Sequence, residues 1–568
     1  MTLDSTDPLY QTMSSSTASV TDKQGTHGLF VSMPTIDMDQ DQTTAARLAE
    51  ISEANLSRWQ ALKKYPYAWF CVSAMIWTLI LTSFESQAGG VVFSIPQFRK
   101  HFGHQIADGS YVIEAKWQSM FSGIPLAAQI IGLWIGSFLS DRFGRRRVAW
   151  CAVLCTFAFV AVEFDAKNVQ MFLAGKTCNA LMLGIMQPGC VSYIADVAPQ
   201  ALKSSATILT NFTFVIAPMM CFFINYFLTD RGEDDAWAYK ALFASQWGFA
   251  AISIVWLFLI PEAPTYYVVK GEHEKAKAAM LKILKDEKAA GEQLHIIEMT
   301  VAEAKVFAET TSYKDLVSKG NYRRTLISIL GFVSHPFCGV YFTGNYTTYY
   351  FQLLGYDDKK SFRFTLGSQT ISITGCIIAM FICKIVGRRP AMIWGMIALM
   401  INDLIVGVCT VVKGVSAQKA AVAFMMLYGG VYNAGAGSLA FAIASENATS
   451  ALRTKTIAMG WTWENLFGMM WSFLLPYIFN PDKANLGGKT MFIFFAFSFV
   501  LVILLVLFQT ETMGRSFDEI DELYASGIPM RRFASYKTKV DKTKTGELFE
   551  TGSVKDVGMV EHLEKTDV

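Results

Sequence analysis

Three acids interrupt stretches of the chain that are otherwise apolar: Glu85 in Ser83-Phe84-Glu85-Ser86, Asp403 after Asn402, and Glu464 in Trp461-Thr462-Trp463-Glu464-Asn465. A charged carboxylate without a partner is costly in such a run, so the chemistry open to it is proton exchange, ion pairing or contact with a polar ligand. A second group is ionic and lies where apolar runs end. Arg142, Arg145, Arg146 and Arg147 follow Asp141; Arg388 and Arg389 follow Lys384; Arg453 and Lys455 follow Glu446. Beside the tight turn at Gly144, carboxylates, guanidinium groups and helix dipoles can latch two helix ends together in one state and part in another. Setting topology is the plainer role for the same arginines. Asp403 has no evident cation and reads as structural, whereas Glu464, near Arg453 and Lys455, reads as a gate partner and not as a substrate ligand.

The rest of the composition narrows the chemistry. The ten cysteines lie inside apolar runs without a CxxC or paired-loop pattern, so they read as small hydrophobes, and neither a metal site nor a cofactor is expected. A G-x-x-x-x-G-K-[ST] loop is missing, which disfavours an ATP-driven pump. Of 568 residues 52% are hydrophobic and 17% charged, and the mean hydropathy is +0.32. Ordinary soluble chains hold about 45–50% apolar and about 25% charged residues, so a soluble enzyme is excluded. A net charge of +2 leaves no basic stripe for nucleic acid.

Positioning these residues falls to membrane helices. A bilayer core needs about 20 mostly apolar residues per pass. Twelve such stretches are read, at 68–95, 118–140, 149–168, 170–197, 206–228, 243–261, 325–355, 362–386, 390–412, 418–446, 456–479 and 488–509. The predicted organisation is a disordered cytosolic tail (1–67), a six-helix bundle (68–261), a helical cytosolic linker (262–324) rich in Lys, Glu and Ala, a second six-helix bundle (325–509), and a C-terminal segment with a disordered tail (510–568). The basic loops share one side with the linker and both tails, which predicts that both termini are cytosolic. The sequons at Asn55, Asn211, Asn345 and Asn447 then lie on that side or inside spans, so no N-glycan is expected. The loop Asp141-Arg142-Phe143-Gly144-Arg145-Arg146 is echoed six helices later by Gly387-Arg388-Arg389. Asp196 and Lys203 are echoed by Glu446 and Arg453, and these four can make the matching latch about a pseudo-twofold axis. Two related bundles suit a rocking transporter with its site near the midplane.

In order along the chain, Gly136…Asp141-Arg142-Phe143-Gly144-Arg145-Arg146, Tyr193-Ile194-Ala195-Asp196-Val197-Ala198-Pro199, Pro261-Glu262-Ala263-Pro264, Gly387-Arg388-Arg389, Ser445-Glu446…Leu452-Arg453-Thr454-Lys455-Thr456 and Glu511-Thr512-Met513-Gly514-Arg515 resemble the motifs of the sugar porter family of the major facilitator superfamily. Tyr432-Asn433-Ala434-Gly435 and the tail Gly527…Phe533 resemble the fungal α-glucoside, maltose permease-like branch. The resemblance implies an all-α membrane protein of twelve helices in two pseudo-symmetric bundles. It also implies proton-coupled sugar uptake across the plasma membrane by a monomer, with a cytosolic gate of Asp141, Arg142, Arg145, Arg146, Asp196, Lys203, Glu262, Arg388, Glu446 and Arg453. Glu85 falls where proton-coupled members carry an Asp, and their helix-four arginine maps to Lys176. The expected coupling device is thus a Glu85/Lys176 pair, with a static structural pair as the alternative.

Sugars need planar or bidentate hydrogen-bond partners and an aromatic face. Here the family pattern is broken: its helix-five glutamine reads Pro218, its paired helix-seven glutamines read His335-Pro336, and its helix-ten tryptophan reads Phe441. The remaining candidates are Gln187, Asn211, His335, Tyr341, Asn345, Trp461 and Asn465. Tyr341 and Trp461 can equally be core or interfacial aromatics, and His335 can instead cap the start of a broken helix. The leading reading is a sugar or glycoside:proton symporter in the bilayer. A transporter of a less polar fungal metabolite and a non-transporting nutrient receptor are the alternatives. Tail lysines such as Lys537 and Lys542 are either ubiquitin sites or a solvated charged tail.

Overall fold

The computed structural model describes residues 58–538 except 106–110, 229–234, 311, 319, 413, 450–451, 481–482, 514, 516, 527, 534–535 and 537. The readings made for residues 1–57 and 539–568, including the tail lysines beyond 538, lie outside the described residues.

The first half contains α1 (Pro66–Val91), α2 (Ala115–Phe143), α3 (Arg145–Phe164), α4 (Val169–Val197), α5 (Gln200–Leu228) and α6 (Trp237–Leu259). The second contains α7 (Tyr322–Phe337) and α8 (Val340–Leu353), which together make the seventh pass, then α9 (Asp358–Ile385) and α10 (Arg388–Val411). The tenth pass is split into α11 (Val415–Ala434) and α12 (Ala436–Asn447), followed by α13 (Arg453–Phe479) and α14 (Thr490–Phe508). The linker forms shorter helices at Pro264–Val269, His273–Leu284 and Glu287–Thr310. A two-residue hairpin between α1 and α2 pairs β1 (His104–Gln105) with β2 (Tyr111–Val112).

Local sequence explains where passes start and stop. Pro66 opens α1 at a position that needs no N–H partner. Asn168 caps α4, its side-chain oxygen accepting from the Met171 N–H at 2.7 Å. The turns between α2 and α3 and between α9 and α10 both run through a glycine with positive φ, +101° at Gly144 and +96° at Gly387, a conformation that L side chains rarely adopt. By length and composition 8 of the described helices are apolar enough to cross a membrane. The fifth pass adds the shorter apolar stretch Phe212–Leu228, and the tenth is broken at Gly435. Side chains such as Trp134, Phe138, Phe258, Phe499 and Val500 are exposed around the outside, which is the surface that lipid would cover.

The two halves repeat one packing scheme: α2 and α3 lie against α4, and α9 and α10 lie against α11. Between the halves, α2 meets α13, α5 meets α9, and α1 meets α8. The linker buries Met280, Ile283 and Ala290 in the apolar core of the first half, beside Ala68 of α1 and Tyr65 just before it.

Among the described residues a shared apolar core joins the halves at the end away from the linker. A single aromatic core there draws on both, with Phe84, Phe93 and Phe121 of one half and Tyr346, Phe479 and Phe494 of the other. Cross-half hydrogen bonds lie at the same end: Gln87 Nε2 donates to the Gly344 carbonyl (3.0 Å), Gln352 Nε2 to the Ser94 carbonyl (2.7 Å), and Ser119 Oγ to the Phe473 carbonyl (2.7 Å). At the other end, which bears the linker, the apolar clusters are separate, one within each half.

Candidate functional site

Between the halves, at mid-depth, lies a cavity of about 320 Å³. It is shut off at the far end by the shared aromatic core and extends along α2, α4 and α13 towards the linker end. The first half contributes Glu85, Ser86 and Gln87 from α1, Gln129 from α2, Lys176 and Gln187 from α4, and Phe214 and Pro218 from α5. The second contributes Tyr341 and Asn345 from α8 and Trp461, Glu464, Asn465 and Ser472 from α13. The broken seventh pass of the second half lies beside it, through Tyr341 and Asn345 of α8. Gly339, with φ +99°, frees α8 to set Tyr341 and Asn345 on the wall.

Five of the seven residues read as ligands therefore share the cavity: Gln187, Tyr341, Asn345, Trp461 and Asn465. Gln129 Nε2 donates to Gln187 Oε1 (3.3 Å), and Asn465 Nδ2 is engaged by the Trp461 carbonyl one turn away (2.8 Å). The side chain of Asn211 lies outside the described residues. His335 is not on the cavity wall. It stands behind Glu464, with Nδ1 2.9 Å from Glu464 Oε1 and Nε2 3.1 Å from the Ala436 carbonyl, so the acid faces the cavity in its place. Glu464 was expected at the gate beside Arg453 and Lys455; the helical phase of α13 turns it inward instead.

Glu85 and Lys176 meet in the wall. Lys176 Nζ donates to Glu85 Oε1 at 2.6 Å and to the Glu85 carbonyl at 3.2 Å, and both side chains are only 3% exposed. Gln246 of α6 donates to the second carboxylate oxygen at 2.6 Å, and Asn179 Nδ2 donates in turn to Gln246 Oε1 at 3.4 Å. Gly89 makes room for the lysine: a Cβ there would fall 2.4 Å from its Cε. Glu163 of α3 is buried within electrostatic reach of both Glu85 and Lys176, so two carboxyl groups attend one ammonium. Gln246, Asn179 and Glu163 were not singled out from the sequence, although each is a polar residue inside an apolar run.

At the linker end the ionic residues form two copies of one device. Glu262 accepts from the Arg146 N–H (2.8 Å) and the Arg147 N–H (3.4 Å), while Arg145 pairs with Asp196 at 3.4 Å. Glu511 accepts from the Arg388 N–H (3.0 Å) and the Arg389 N–H (3.2 Å), while Arg388 pairs with Glu446 at 3.0 Å. Each acid meets the first turn of a helix whose N–H groups would otherwise lack acceptors. Of the four residues read as a matching latch, Asp196 takes Arg145 and Glu446 takes Arg388, while the Lys203 side chain lies outside the described residues. Asp141 and Arg142 are exposed, and among the described residues neither side chain forms an ion pair. Arg146 holds the Leu257 and Phe258 carbonyls of α6. Glu511, whose role was not assigned from the sequence, is the counterpart of Glu262. Glu511→Ala is expected to cost about 1–3 kcal/mol, the penalty for orphaning N–H groups from a charged acceptor. Thermal unfolding of the detergent-solubilised chain checks this, with Glu262→Ala expected to match it.

A family model described as "Sugar (and other) transporter" matches residues 70–524. The chain belongs to this sugar transporter family. Two of the transporter's relatives are the general alpha-glucoside permease of Saccharomyces cerevisiae, 28% identical over 516 residues (90% of this chain, 83% of that one), and a maltose permease of the same yeast, 28% identical over 512 residues (89% and 83%). These relatives are permeases and not enzymes. Among solved structures, the inward open conformation of the xylose transporter XylE from E. coli aligns with a TM-score of 0.64 at 19% identity, covering 80% of this chain and 98% of that one. XylE described as a proton:xylose symporter and bound to 6-bromo-6-deoxy-D-glucose aligns with a TM-score of 0.63 at 19% identity, covering 81% and 99%. The transporter thus has the major facilitator fold, with twelve passes in two bundles.

Proposed function

We propose that the transporter is a proton-coupled importer of α-glucosides such as maltose, acting as a monomer in the plasma membrane with both termini cytosolic. The division into halves at 68–261 and 325–509, joined by the linker 262–324, is part of the same proposal. The observation that carries it is the polar cavity between the halves, with the buried Glu85–Lys176 pair in its wall. Amides from both halves, Gln87, Gln129 and Gln187 opposite Asn345 and Asn465, offer the donor and acceptor pairs that sugar hydroxyls need, and Trp461 offers a ring face. The kinship with alpha-glucoside and maltose permeases supports the substrate class.

In this reading the linker end is cytosolic and the described conformation faces inward, with its far side closed. A proton on Glu85 cancels the charge that holds Lys176 and leaves Gln246 as the remaining partner of the carboxyl. α1 and α4 are then free to shift relative to each other, and the closed far side can part. The latches at Glu262 and Glu511 tie helix ends within each half, so each half moves as a unit.

A second reading keeps the fold and changes the cargo to a less polar fungal metabolite. Pro218, Phe214, Ile130 and Leu133 on the wall favour it, as does the withdrawal of His335 from the cavity. Uptake of labelled maltose, glucose and cellobiose into yeast lacking its own transporters separates the two. Maltose accumulation that rises as the medium is acidified is the expected result. A surface-localised chain that takes up none of these sugars overturns the sugar reading.

A further inference from the structure

We propose that His335 and Glu464 form a second proton-binding site, in the half of the molecule that does not carry Glu85. The proton held there would fix Glu464 against the break in the tenth pass.

The hydrogen-bond roles lead to this. His335 is 3% exposed, and its two ring nitrogens face Glu464 Oε1 and the Ala436 carbonyl at 2.9 and 3.1 Å. A carbonyl only accepts, and so does an ionised carboxylate, so both ring nitrogens must donate. A neutral imidazole has one N–H and makes both bonds only when Glu464 is itself protonated and donates to Nδ1, so in either arrangement the pair holds one proton more than a neutral ring beside a carboxylate. The pair carries no net charge in that state, and the proposal places the shared proton on the ring, as an imidazolium beside a carboxylate. When the pair passes one proton through the Glu464 carboxyl to a water in the cavity, which becomes hydronium, the pair carries one negative charge. The remaining N–H can then serve Glu464 or Ala436 but not both. Proton return reverses the step.

Both ends of this choice sit where movement matters. Ala436 is the first residue of α12, directly after the Gly435 break. Glu464 faces the cavity, and its Oε2 is buried without a hydrogen-bond partner among the described residues, ready for a ligand hydroxyl. Other titratable groups near the pair are Tyr432 of α11, whose ring meets the imidazole edge-on at 5.6 Å, Tyr341 of α8, Cys338 at the bend between α7 and α8, and Cys376 of α9 beyond Tyr432. Free phenols and thiols are uncharged near neutral pH. Across the cavity the ionic groups are Glu85 and Lys176, which are already paired. The pair is thus the second half's own proton carrier, and cargo binding at Oε2 is linked to it.

Nitrogen-15 NMR of the full-length chain in lipid nanodiscs, labelled at histidine, tests this without any substrate. A failure of the sugar or Glu85 readings would leave the result untouched. H335Q assigns the resonance; if that variant does not fold, the signal that E464Q alone displaces identifies it. At neutral pH the wild type is expected to show both His335 nitrogens as N–H, and E464Q a ring with a single N–H. A wild-type His335 ring with one unprotonated nitrogen, or one that E464Q leaves unchanged, overturns the proposal.

Discussion

Lys176→Met is expected to cost about 3–5 kcal/mol and to lower the melting temperature by on the order of 10 °C, because it leaves a buried carboxylate without its cation. The position leaves no easy escape. Glu85 is 2% exposed, its second oxygen is already taken by Gln246, and Glu163 nearby adds a second carboxyl that the same ammonium serves. Glu85→Gln in the Lys176→Met background removes the charge that was stranded and is expected to restore most of the loss, since replacing both members of a buried pair is often close to neutral. Gel filtration and thermal unfolding of the single and double variants read this directly. If Lys176→Met is as stable as the wild type, the pair is not what holds α1 to α4.

Gly184→Leu is expected to abolish the folded transporter. α2 and α4 approach until their backbones touch: a Cβ at Gly184 would lie 2.4 Å from the Gln129 carbonyl oxygen, one at Gly132 would lie 2.4 Å from that of Leu181, and one at Gly136 would lie 2.1 Å from that of Ile185. Backbone cannot rotate aside as a side chain can. Small residues at such crossings let membrane helices pack by close contact. The second half uses the same device, with a Cβ at Gly375 falling 2.2 Å from the Gly430 carbonyl oxygen between α9 and α11. Gly184→Ala is expected to cost about 1–3 kcal/mol, as overpacking does, and Leu considerably more. Since α2 and α4 carry Gln129 and Gln187, any separation that accommodates the larger residue also disturbs the cavity. Gly248→Leu, at a position with nothing within 4 Å, is the control and should fold normally. The yield of monodisperse protein across the three variants decides the matter.

Much of the fold was legible because bilayer passes are written as long apolar runs, and because the Gly144 and Gly387 turns repeat with their arginines. The eleventh pass carries Glu464 and Asn465 to the cavity wall and the tenth is broken at Gly435, so hydropathy weakens along these two. The Glu85–Lys176 pair could be anticipated from alignment with a family pattern, but its support could not. Gln246, Asn179 and Glu163 come from three different helices, and only their packing shows that they converge. His335 and Glu464 were misplaced for a related reason. Position along the chain says that a residue is at membrane depth, whereas which way it points depends on helical phase and on the bend at Gly339. The same holds at the linker end, where packing brings the loop arginines Arg145 and Arg388 to the acids Asp196 of α4 and Glu446 of α12.

The central claim is that a proton on Glu85 drives accumulation of a sugar. The most direct measurement is the steady-state ratio of labelled maltose inside and outside proteoliposomes containing the wild type or Glu85→Gln, with an inward proton gradient of two pH units imposed. With one proton per sugar that gradient supports about a hundredfold accumulation, since each pH unit is worth about 1.4 kcal/mol. The wild type is predicted to concentrate maltose well above tenfold and Glu85→Gln to reach only equal concentrations. Accumulation by Glu85→Gln that matches the wild type would contradict the account.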